Sequence, residues 1–363
     1  MTRKVVFFTT GMTAGGAERV VATLANALDS RGFEVVIAMV KGEESAYDLP
    51  PGVRLRSANL NPGLRNLPAA IQFYRQLLRE ESPDVVASFS TKSDIIALIF
   101  RLLFRSESQL IVSDRADPYT RNRRLQLACN VLYRWSDGLV CQSESVADYY
   151  RKRCKRASIF VIPNPLSEDS VGETTKKCRS RTVIAVGRLS EQKNHRLAIS
   201  AFKRIRERFP ELTMKIYGSG PLENELTEMI RMADLEDNVT LEGVVPNVMR
   251  QHSDAALFLF TSNYEGYPNA LMEAAAAGIP TVTTDFSPGT AREIIEDGVN
   301  GYVVPVGGED EAVEASIKAL SGKLDLAEVI AASQRVRKRH RTELILESWL
   351  NVFGPLGRKR LPL

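Results

Sequence analysis

The chain has 363 residues, of which 25% are charged and 44% hydrophobic, and its formal net charge is +4. This length corresponds to about two domains of ~150 residues, and the composition excludes a wholly disordered or collagen-like chain. The three histidines and four cysteines show no C-x-x-C or other local ligand spacing, so we expect a reduced cytosolic chain without a zinc cluster, redox pair or disulfide scaffold.

Short apolar runs alternate with helix-length segments in the first half of the chain. We predict buried strands at 4–9, 34–40, 84–89, 109–113, 138–142 and 159–162, and an amphipathic helix at 17–30. The runs are not strictly alternating, and a helix-length segment joins each to the next, which is typical of parallel strands covered on both faces.

The sequence Pro163-Asn164-Pro165 and the polar stretch at 167–181 interrupt this pattern and are predicted to form a linker. The rhythm then restarts, with strands predicted at 182–186, 213–217, 239–241, 256–260, 281–283 and 302–304, and helices at 195–208, 222–233, 269–277 and 309–321. The sequence therefore predicts an α/β fold of two tandem doubly wound, Rossmann-like domains, 1–165 and 166–340, that face each other across a ligand-binding cleft. A last helix begins near residue 341, and we expect the segment 341–363 to cross back to the first domain.

The excess positive charge lies in the first predicted domain. Residues 1–165 contain 23 Lys and Arg against 16 Asp and Glu, a net charge of +7, and the rest of the chain has a net charge of −3. Nucleic acid, an anionic membrane surface and solvated helix ends all remain open; among the partners we favour membrane phosphates over nucleic acid, because no nucleic-acid module accompanies the charge. The longest apolar run, Ile95 to Phe104, is far shorter than the ~18–20 residues of a spanning helix, and the start of the chain does not read as a signal peptide. We therefore expect a cytoplasmic protein, peripherally associated with the inner face of the plasma membrane.

Two loops after predicted strands have the composition of anion-binding sites. The first runs from Gly11 to Gly15-Gly16 and opens a helix, so that the backbone can approach an anion closely, although the dinucleotide-binding G-x-G-x-x-G spacing is absent. The second carries Arg188 and Lys193, five residues apart, and two cations on a strand-to-helix loop suit a diphosphate. A tight turn without a ligand and a solvated loop are the alternatives.

A third motif, at 262–273, carries Glu265 on a loop and Glu273 about one turn into the following helix. A Gly-x-Pro turn separates the two carboxylates and directs the N-terminus of that helix towards the expected ligand site. This arrangement can bind a phosphate through backbone dipoles while one carboxylate faces sugar hydroxyls, although either glutamate alone could be an ordinary cap. The backbone N–H groups concerned belong to Asn269, Ala270 and Leu271.

These motifs, in this order, resemble family 4 of the retaining glycosyltransferases, which have the two-Rossmann-domain architecture called GT-B. The resemblance extends over essentially the whole chain, from Gly15 to Val303. It is most specific at 262–278, which is similar to the family's signature of two glutamates around a turn. It implies that Gly15 and Gly16 border the diphosphate of a nucleotide-sugar donor and that Arg188 and Lys193 bind that diphosphate.

The same resemblance implies roles for the remaining donor-site residues. Glu265 would lie beside the transferred sugar, Glu273 would bind the ribose, Gly218 belongs to a conserved type of glycine turn in the family, and Val245 would line the nucleobase. The sequence departs from the family's pattern at 287–290, where only Gly289 matches, so the contacts of that loop are open.

A second departure lies after the predicted strand at 109–113, where many family members have a histidine near the donor sugar. Here Arg115 stands at that position, in a stretch that resembles a Ser-Glu-Arg-Asn-Asp-Pro variant of the family. Asp117 or Asp114 is then a candidate to hold an acceptor or sugar hydroxyl. The alternative is that Asp117-Pro118 only starts a turn.

The resemblance implies a retaining transfer from a nucleotide-diphosphate sugar, which we expect to be UDP-linked and to carry a hexose or N-acetylhexosamine. Arg188, Lys193 and the helix N-terminus would stabilise the departing diphosphate, so no metal and no cofactor are expected, and Glu265 would orient the sugar. The catalytic candidates are therefore Glu265, Asp117, Arg188 and Lys193. We expect the acceptor to be a lipid-linked oligosaccharide in bacterial surface polysaccharide assembly, with a soluble acceptor as the alternative.

Two other classes of function are weighed against this transfer. A nucleotide-sugar epimerase can have the same fold, but it would be expected to have further histidines and acidic residues around the cleft. A non-catalytic nucleotide-sugar-binding module would have no reason to keep both cations of the diphosphate loop together with both glutamates. Release of nucleoside diphosphate with an acceptor would separate the transferase from both.

Overall fold

The computed structural model describes residues 3–104, 106–155, 157–172 and 179–354. The chain forms two compact units: unit 1 consists of Met1–Pro165 and Thr342–Leu363, and unit 2 is Leu166–Arg341. The end of the predicted crossing segment, residues 355–363, lies outside the described residues.

Over its described residues, unit 1 contains a seven-stranded parallel sheet in the order β3-β2-β1-β4-β5-β6-β7. The strands are β1 (Lys4–Thr9), β2 (Glu34–Met39), β3 (Arg54–Ser57), β4 (Val85–Ser88), β5 (Gln109–Asp114), β6 (Gly138–Cys141) and β7 (Ile159–Val161). The connecting helices are α1 (Gly16–Asp29), α2 (Leu67–Glu81), α3 (Thr91–Leu103), α4 (Arg123–Leu132) and α5 (Glu144–Arg153).

Both faces of this sheet are covered, which explains why its inner strands β1, β2, β4, β5 and β6 are mostly apolar. In β1, Val5 and Phe7 belong to one hydrophobic cluster, which also contains α1, whereas Val6 and Phe8 belong to a second cluster on the other face with α2 and α3. Successive strand residues point to opposite faces, so only a sheet buried on both sides needs an unbroken apolar run.

Unit 2 contains, in the part of it that the structure describes, a six-stranded parallel sheet in the order β10-β9-β8-β11-β12-β13. The strands are β8 (Thr182–Val186), β9 (Thr213–Tyr217), β10 (Val239–Gly243), β11 (Leu257–Phe260), β12 (Thr281–Thr284) and β13 (Gly301–Val304). The helices are α6 (His195–Arg208), α7 (Glu223–Met232), α8 (Val248–Gln251), α9 (Asn269–Ala277), α10 (Ala291–Ile294), α11 (Glu309–Leu320) and α12 (Leu326–Arg339).

The last helix, α13 (Thr342–Phe353), returns to unit 1. Its Trp349 is 1% exposed and stacks on Phe89, with the ring centroids 5.2 Å apart, so the helix completes the core on the α1 face of the first sheet. The predicted fold class of two doubly wound α/β domains with a returning C-terminal helix is confirmed.

The predicted elements do not include the strand β3 or the helices α8, α10 and α12, and the structure gives the reason for β3. β3 is an edge strand whose Arg54 and Arg56 donate hydrogen bonds to the buried carboxylate of Glu81 at 2.7 to 3.1 Å. Burial alone would raise the pKa of Glu81, but the two arginines hold it below its usual value. The strand is therefore held by ion pairs at a sheet edge, and no apolar run marks it.

The predicted linker is partly built into unit 2. Leu166 and Val171 are 5% exposed and belong to the hydrophobic cluster of that unit. Residues 173–178 of the predicted linker lie outside the described residues.

Candidate functional site

The candidate site of unit 2 lies where the strand order reverses, between the adjacent strands β8 and β11. In a doubly wound sheet, ligands bind beyond the carboxyl ends of the strands at this reversal. The loop with Arg188 and Lys193 leaves β8, and the loop with Glu265 leaves β11, so both predicted motifs begin at the same edge of the sheet.

Glycines allow the loop after β8 to pack directly against the loop after β9. Gly218 has a φ of +144°, and a Cβ atom there would overlap the carbonyl oxygen of Gly187. A Cβ atom at Gly220 would likewise overlap the carbonyl of Leu189, whose N–H donates to the Ser219 carbonyl at 3.0 Å. The predicted glycine turn therefore supports the Arg188 loop by close backbone contact.

The two cations of this loop are in different environments. Arg188 is exposed and, among the residues the structure describes, makes no salt bridge. The side chain of Lys193 is 16% exposed; its Nζ lies 2.5 Å from Oε1 of Glu265 and 4.9 Å from the centroid of the Phe260 ring. Arg188 thus projects a charge towards solvent, whereas Lys193 is held at the strand ends.

Glu265 connects the two loops. Its side chain is 9% exposed and is bound on one oxygen by Lys193. Its other oxygen, Oε2, accepts a hydrogen bond from Nε2 of Gln192 at 3.3 Å, and the same amide donates to the Tyr264 carbonyl at 3.0 Å. Gln192 was given no role by the sequence, because only the fold shows that it reaches the β11 loop. The contacts hold the Glu265 carboxylate in one place at the edge of the sheet.

Helix α9 presents its N-terminus beside this carboxylate. It begins at Asn269, and its N-cap residue Pro268 provides no side-chain capping hydrogen bond. The first N–H groups of a helix have no partner within the helix, so those of Ala270 and Leu271 can contribute to binding an anion. Glu273 lies one turn further along α9 and is 9% exposed.

The loop after β12, whose sequence departs from the family's pattern, is hydrogen-bonded to the Glu265 loop. The backbone N–H of Glu265 donates to the Ser287 carbonyl at 3.2 Å, and the Thr290 hydroxyl donates to the Gly266 carbonyl at 3.1 Å. The Ser287-Pro288 peptide bond is cis and Gly289 has a φ of +101°. Through these backbone contacts, the loop fixes the position of the Glu265 loop.

Val245, predicted to line a nucleobase, follows β10. It is partly buried against the hydrophobic cluster of unit 2 that contains Leu166 and Val171. Its neighbour Val244 is 70% exposed. The two residues place an apolar surface at the carboxyl edge of the sheet, two strands from β8.

In unit 1, Gly15 and Gly16 lie at the start of α1, as the sequence predicts. Gly15 is the extended N-cap residue, and its carbonyl accepts a hydrogen bond from the Tyr47 hydroxyl at 2.7 Å. A Cβ atom at Gly15 would overlap the carboxylate of Glu18, whose pKa is raised by burial. Since this carboxylate lies at the helix N-terminus, an anion bound there would require Glu18 to move.

Arg115 and Asp117 follow β5. Arg115 donates from Nη1 to Oδ1 of Asn164 at 2.5 Å and lies over Phe89, 4.7 Å from the ring centroid. Burial lowers the pKa of Arg115 to about 9, which leaves the group charged at neutral pH. Asp117 is 2% exposed, and its Oδ1 accepts the N–H of Tyr119 at 2.8 Å. Asp117 therefore caps the short turn after it, as the alternative interpretation expects, and its catalytic role stays a prediction.

Asp114, the other candidate named from the sequence, is buried in a polar cluster whose remaining members, Asp94, Arg121, Tyr133 and Tyr150, the sequence does not single out. Asp94 is fully buried and accepts a hydrogen bond from the Tyr133 hydroxyl at 3.0 Å. Burial raises the pKa of Asp94 to about 8, with a further contribution from the nearby Asp114. Asp114 is in turn hydrogen-bonded by Arg121 and Tyr150. The cluster lies within the core of unit 1.

Over the described ranges, no group of three or more His, Cys, Asp or Glu residues is arranged to hold a metal ion. In the same parts of the chain, no helix has the length and apolarity needed to cross a membrane.

Two family models match the chain. Residues 14–170 match the family described as Glycosyltransferase Family 4, and residues 167–337 match the family described as Glycosyl transferases group 1. Together the two models account for both Rossmann-like units.

Curated relatives are similar over most of the chain. One, from Campylobacter jejuni, is an N-acetylgalactosamine-N,N'-diacetylbacillosaminyl-diphospho-undecaprenol 4-alpha-N-acetylgalactosaminyltransferase, 28% identical over 85% of this chain and 87% of its own length. Another, from Erwinia amylovora, is the amylovoran biosynthesis glycosyltransferase AmsD, 26% identical over 94% of this chain and 96% of its own. Among solved structures, Staphylococcus aureus TarM superposes with a TM-score of 0.79 at 12% identity, covering 98% of this chain and all of the TarM chain, which establishes likeness of fold.

Proposed function

Because the chain belongs to the family 4 glycosyltransferases, we propose that it transfers a sugar from a nucleotide-diphosphate sugar to an acceptor hydroxyl with retention of anomeric configuration. The observation that carries the proposal is the contact of Lys193 with Glu265. It joins the two predicted donor-binding loops at the strand reversal of unit 2, four residues before the start of α9 at Asn269.

The donor diphosphate binds to the positively charged groups of this site. Arg188 supplies an exposed guanidinium, Lys193 supplies a second charge, and the N–H groups at Asn269–Leu271 supply a helix dipole. Negative charge grows on the diphosphate as its bond to the sugar breaks, so these groups stabilise the transition state more than the bound donor. A fixed donor of this kind contributes about 3–4 kcal/mol. We propose that they act in place of a metal ion.

Glu265 positions the sugar and supports positive charge that develops at the anomeric carbon. Its carboxylate is held between Lys193 and Gln192, and the hydrogen bond from Gln192 keeps it oriented once Lys193 has turned to the donor. As Lys193 turns to the diphosphate, the Glu265 carboxylate becomes available to the sugar. The leaving phosphate accepts the proton of the acceptor hydroxyl on the face from which it departs.

The rest of the donor extends along the same edge of unit 2. Glu273, one helical turn from the N-terminus of α9, binds the ribose hydroxyls, and Val245 contacts the base. We propose UDP as the nucleotide, and a hexose or N-acetylhexosamine as the sugar.

The acceptor binds to unit 1, and we propose that it is a lipid-linked oligosaccharide used in bacterial surface polysaccharide assembly. The names of the C. jejuni and E. amylovora relatives, with diphospho-undecaprenol and amylovoran biosynthesis, support this choice. The net charge of +7 on residues 1–165 favours an anionic membrane surface as the place where the acceptor is met. Asp117 is our candidate to hold the acceptor hydroxyl, with Arg115 nearby.

A panel of nucleotide sugars tests the proposal. Each donor is incubated with the protein and a polyprenyl-diphosphate-linked N-acetylhexosamine, and both released nucleoside diphosphate and the mass of the acceptor are measured. We expect one UDP-sugar to release UDP only when the acceptor is present, with a matching gain of one sugar on the acceptor. Epimerised nucleotide sugar without acceptor, or binding of a donor with no release by any acceptor, would contradict the transfer.

A further inference from the structure

Unit 1 contains an apolar cavity of about 200 Å³ between the loop that follows β3 and the helices α2 and α3. Among the described residues that line it, Lys92, in the first turn of α3, is the one charged side chain. The apolar walls are formed by Val40, Leu60, Leu67, Ala70, Ile95 and Ile96.

The cavity opens at the carboxyl edge of the sheet. Val40 directly follows β2, and its N–H donates to the carbonyl of Thr9, the last residue of β1, at 3.1 Å. The N–H of Leu60 donates to the Val40 carbonyl at 2.7 Å. This hydrogen bond holds the loop after β3 next to the ends of the strands. The cavity therefore lies beside the end of β1, from which the loop of Gly15 and Gly16 departs, at the edge where doubly wound sheets bind ligands.

One cation lines the cavity, and two more are adjacent in the chain to its lining residues. Lys92 is exposed and makes no salt bridge to any residue the structure describes. Lys41 and Arg65 are next in the chain to the lining residues Val40 and Asn66; both are exposed and, over the same described residues, also lack a carboxylate partner. An apolar cavity with a lysine in its lining is complementary to a molecule whose hydrocarbon part ends in an anionic group.

We propose that this cavity binds the first isoprene units of a polyprenyl diphosphate and that Lys92 binds the attached diphosphate. This inference rests on the proposed function, because it assigns the lipid of the acceptor to a site. The volume of about 200 Å³ is below the ~300–1,000 Å³ of pockets that enclose a whole small ligand, so it fits the start of a long chain and not the whole of it. The relative from C. jejuni is named for an acceptor that joins a diphosphate to undecaprenol.

Geranyl diphosphate, which has two isoprene units and a diphosphate, serves as the probe for calorimetric titration of the full chain. We expect Ile95→Asp, which puts a charge into the cavity, and Ile95→Trp, which fills it, each to weaken binding at least tenfold. Lys92→Glu should weaken binding of both geranyl diphosphate and inorganic diphosphate, whereas the Ile95 variants should leave the weak binding of inorganic diphosphate unchanged. The matched control is Lys152→Glu on α5, an exposed basic residue without a salt bridge in the described chain, which should change geranyl diphosphate affinity less than twofold.

Wild-type affinity for geranyl diphosphate in both Ile95 variants would overturn the inference. The reaction is tested separately, with the same glycan on a polyprenyl diphosphate and on a short water-soluble aglycone. The Ile95 variants should raise KM about tenfold for the lipid-linked acceptor and leave the soluble one unaffected. Absence of transfer to either acceptor by the wild type, with cavity-dependent probe binding intact, would contradict the proposed reaction but not the cavity; transfer that is insensitive to the cavity would contradict the cavity alone.

Discussion

The ion pair of Lys193 and Glu265 gives the most discriminating prediction, since it should have separable effects on stability and on rate. The perturbation is a cycle of three variants: Lys193→Met, Glu265→Gln and the double variant. Methionine keeps the length of the lysine side chain and can stay against Phe260, and glutamine keeps the shape of the glutamate. Each single variant leaves one charged group at the strand ends without its partner.

The structure sets the size of the stability effect. The two side chains are 16% and 9% exposed and the charged atoms are 2.5 Å apart, so the pair is largely shielded from water. Removing one partner of a buried pair costs about 3–5 kcal/mol, whereas replacing both by neutral groups is often close to neutral. For a unit of the size of Leu166–Arg341, 3 kcal/mol corresponds to a fall in Tm of roughly 6–12 °C. The double variant should recover most of this loss.

The kcat/KM of the transfer should not follow the order of the Tm values. Lys193→Met should lower kcat/KM by about 10²–10³, because it removes a donor to the departing diphosphate. The double variant should be at least as inactive as Lys193→Met although it is nearly as stable as the wild type. Arg196→Met on α6 is the control, because Arg196 pairs with the exposed residues Glu191 and Glu225, and it should change neither quantity appreciably.

Calorimetry gives Tm for the wild type, the three variants of the cycle and the control, and release of nucleoside diphosphate with acceptor gives kcat/KM. If the double variant is as unstable as the single variants, the pair does not have the energetics argued here. If Lys193→Met keeps transfer within a few-fold of wild type, Lys193 is not a donor to the leaving group.

Three further results are expected. Gly218→Ala should lower Tm and weaken binding of nucleoside diphosphate, because the new Cβ atom would overlap the Gly187 carbonyl; Gly63→Ala, where a Cβ atom meets nothing within 4 Å, is the control, and equal Tm values would contradict the reasoning. The pKa of Asp94 is raised to about 8 by burial, so the folded protein binds more protons than the unfolded chain between about pH 4 and 8, and this group makes stability fall as the pH rises through that range. In urea unfolding from pH 5 to pH 8, the wild type should therefore lose stability relative to Asp94→Asn, and parallel curves would be inconsistent with a raised pKa. Transfer should persist in excess EDTA, as measured by nucleoside diphosphate release, and its abolition with rescue by a divalent cation would show that a metal is required.

The fold could be predicted from the sequence wherever burial alone decides the structure. Most inner strands are apolar because helices cover both faces of each sheet, and β1, β8 and β9 have the predicted bounds. β3 escapes such a prediction, because Arg54 and Arg56 hold it by pairing with Glu81, a residue distant in sequence.

The candidate site could likewise be predicted only in part from the sequence. The spacing of Arg188, Lys193 and Glu265 after their strands was enough to place them at one sheet edge. The contact of Gln192 with Glu265 could not be predicted, because it depends on how two loops from adjacent strands fold over one another. The cavity beside Lys92 was also not predictable, since its walls come from three segments that only the fold brings together.

The central claim is a sugar transfer with retention, and the anomeric configuration of the product tests it most directly. An α-linked UDP-sugar identified from the donor panel is incubated with the acceptor. The configuration of the new glycosidic bond is then determined by NMR from the coupling constant of the anomeric proton. A retaining transfer gives an α-linked product, formed in equal amount to the released UDP and lost in Lys193→Met. A β-linked product would contradict the retaining mechanism, and release of UDP without any glycosylated acceptor would contradict the transfer itself.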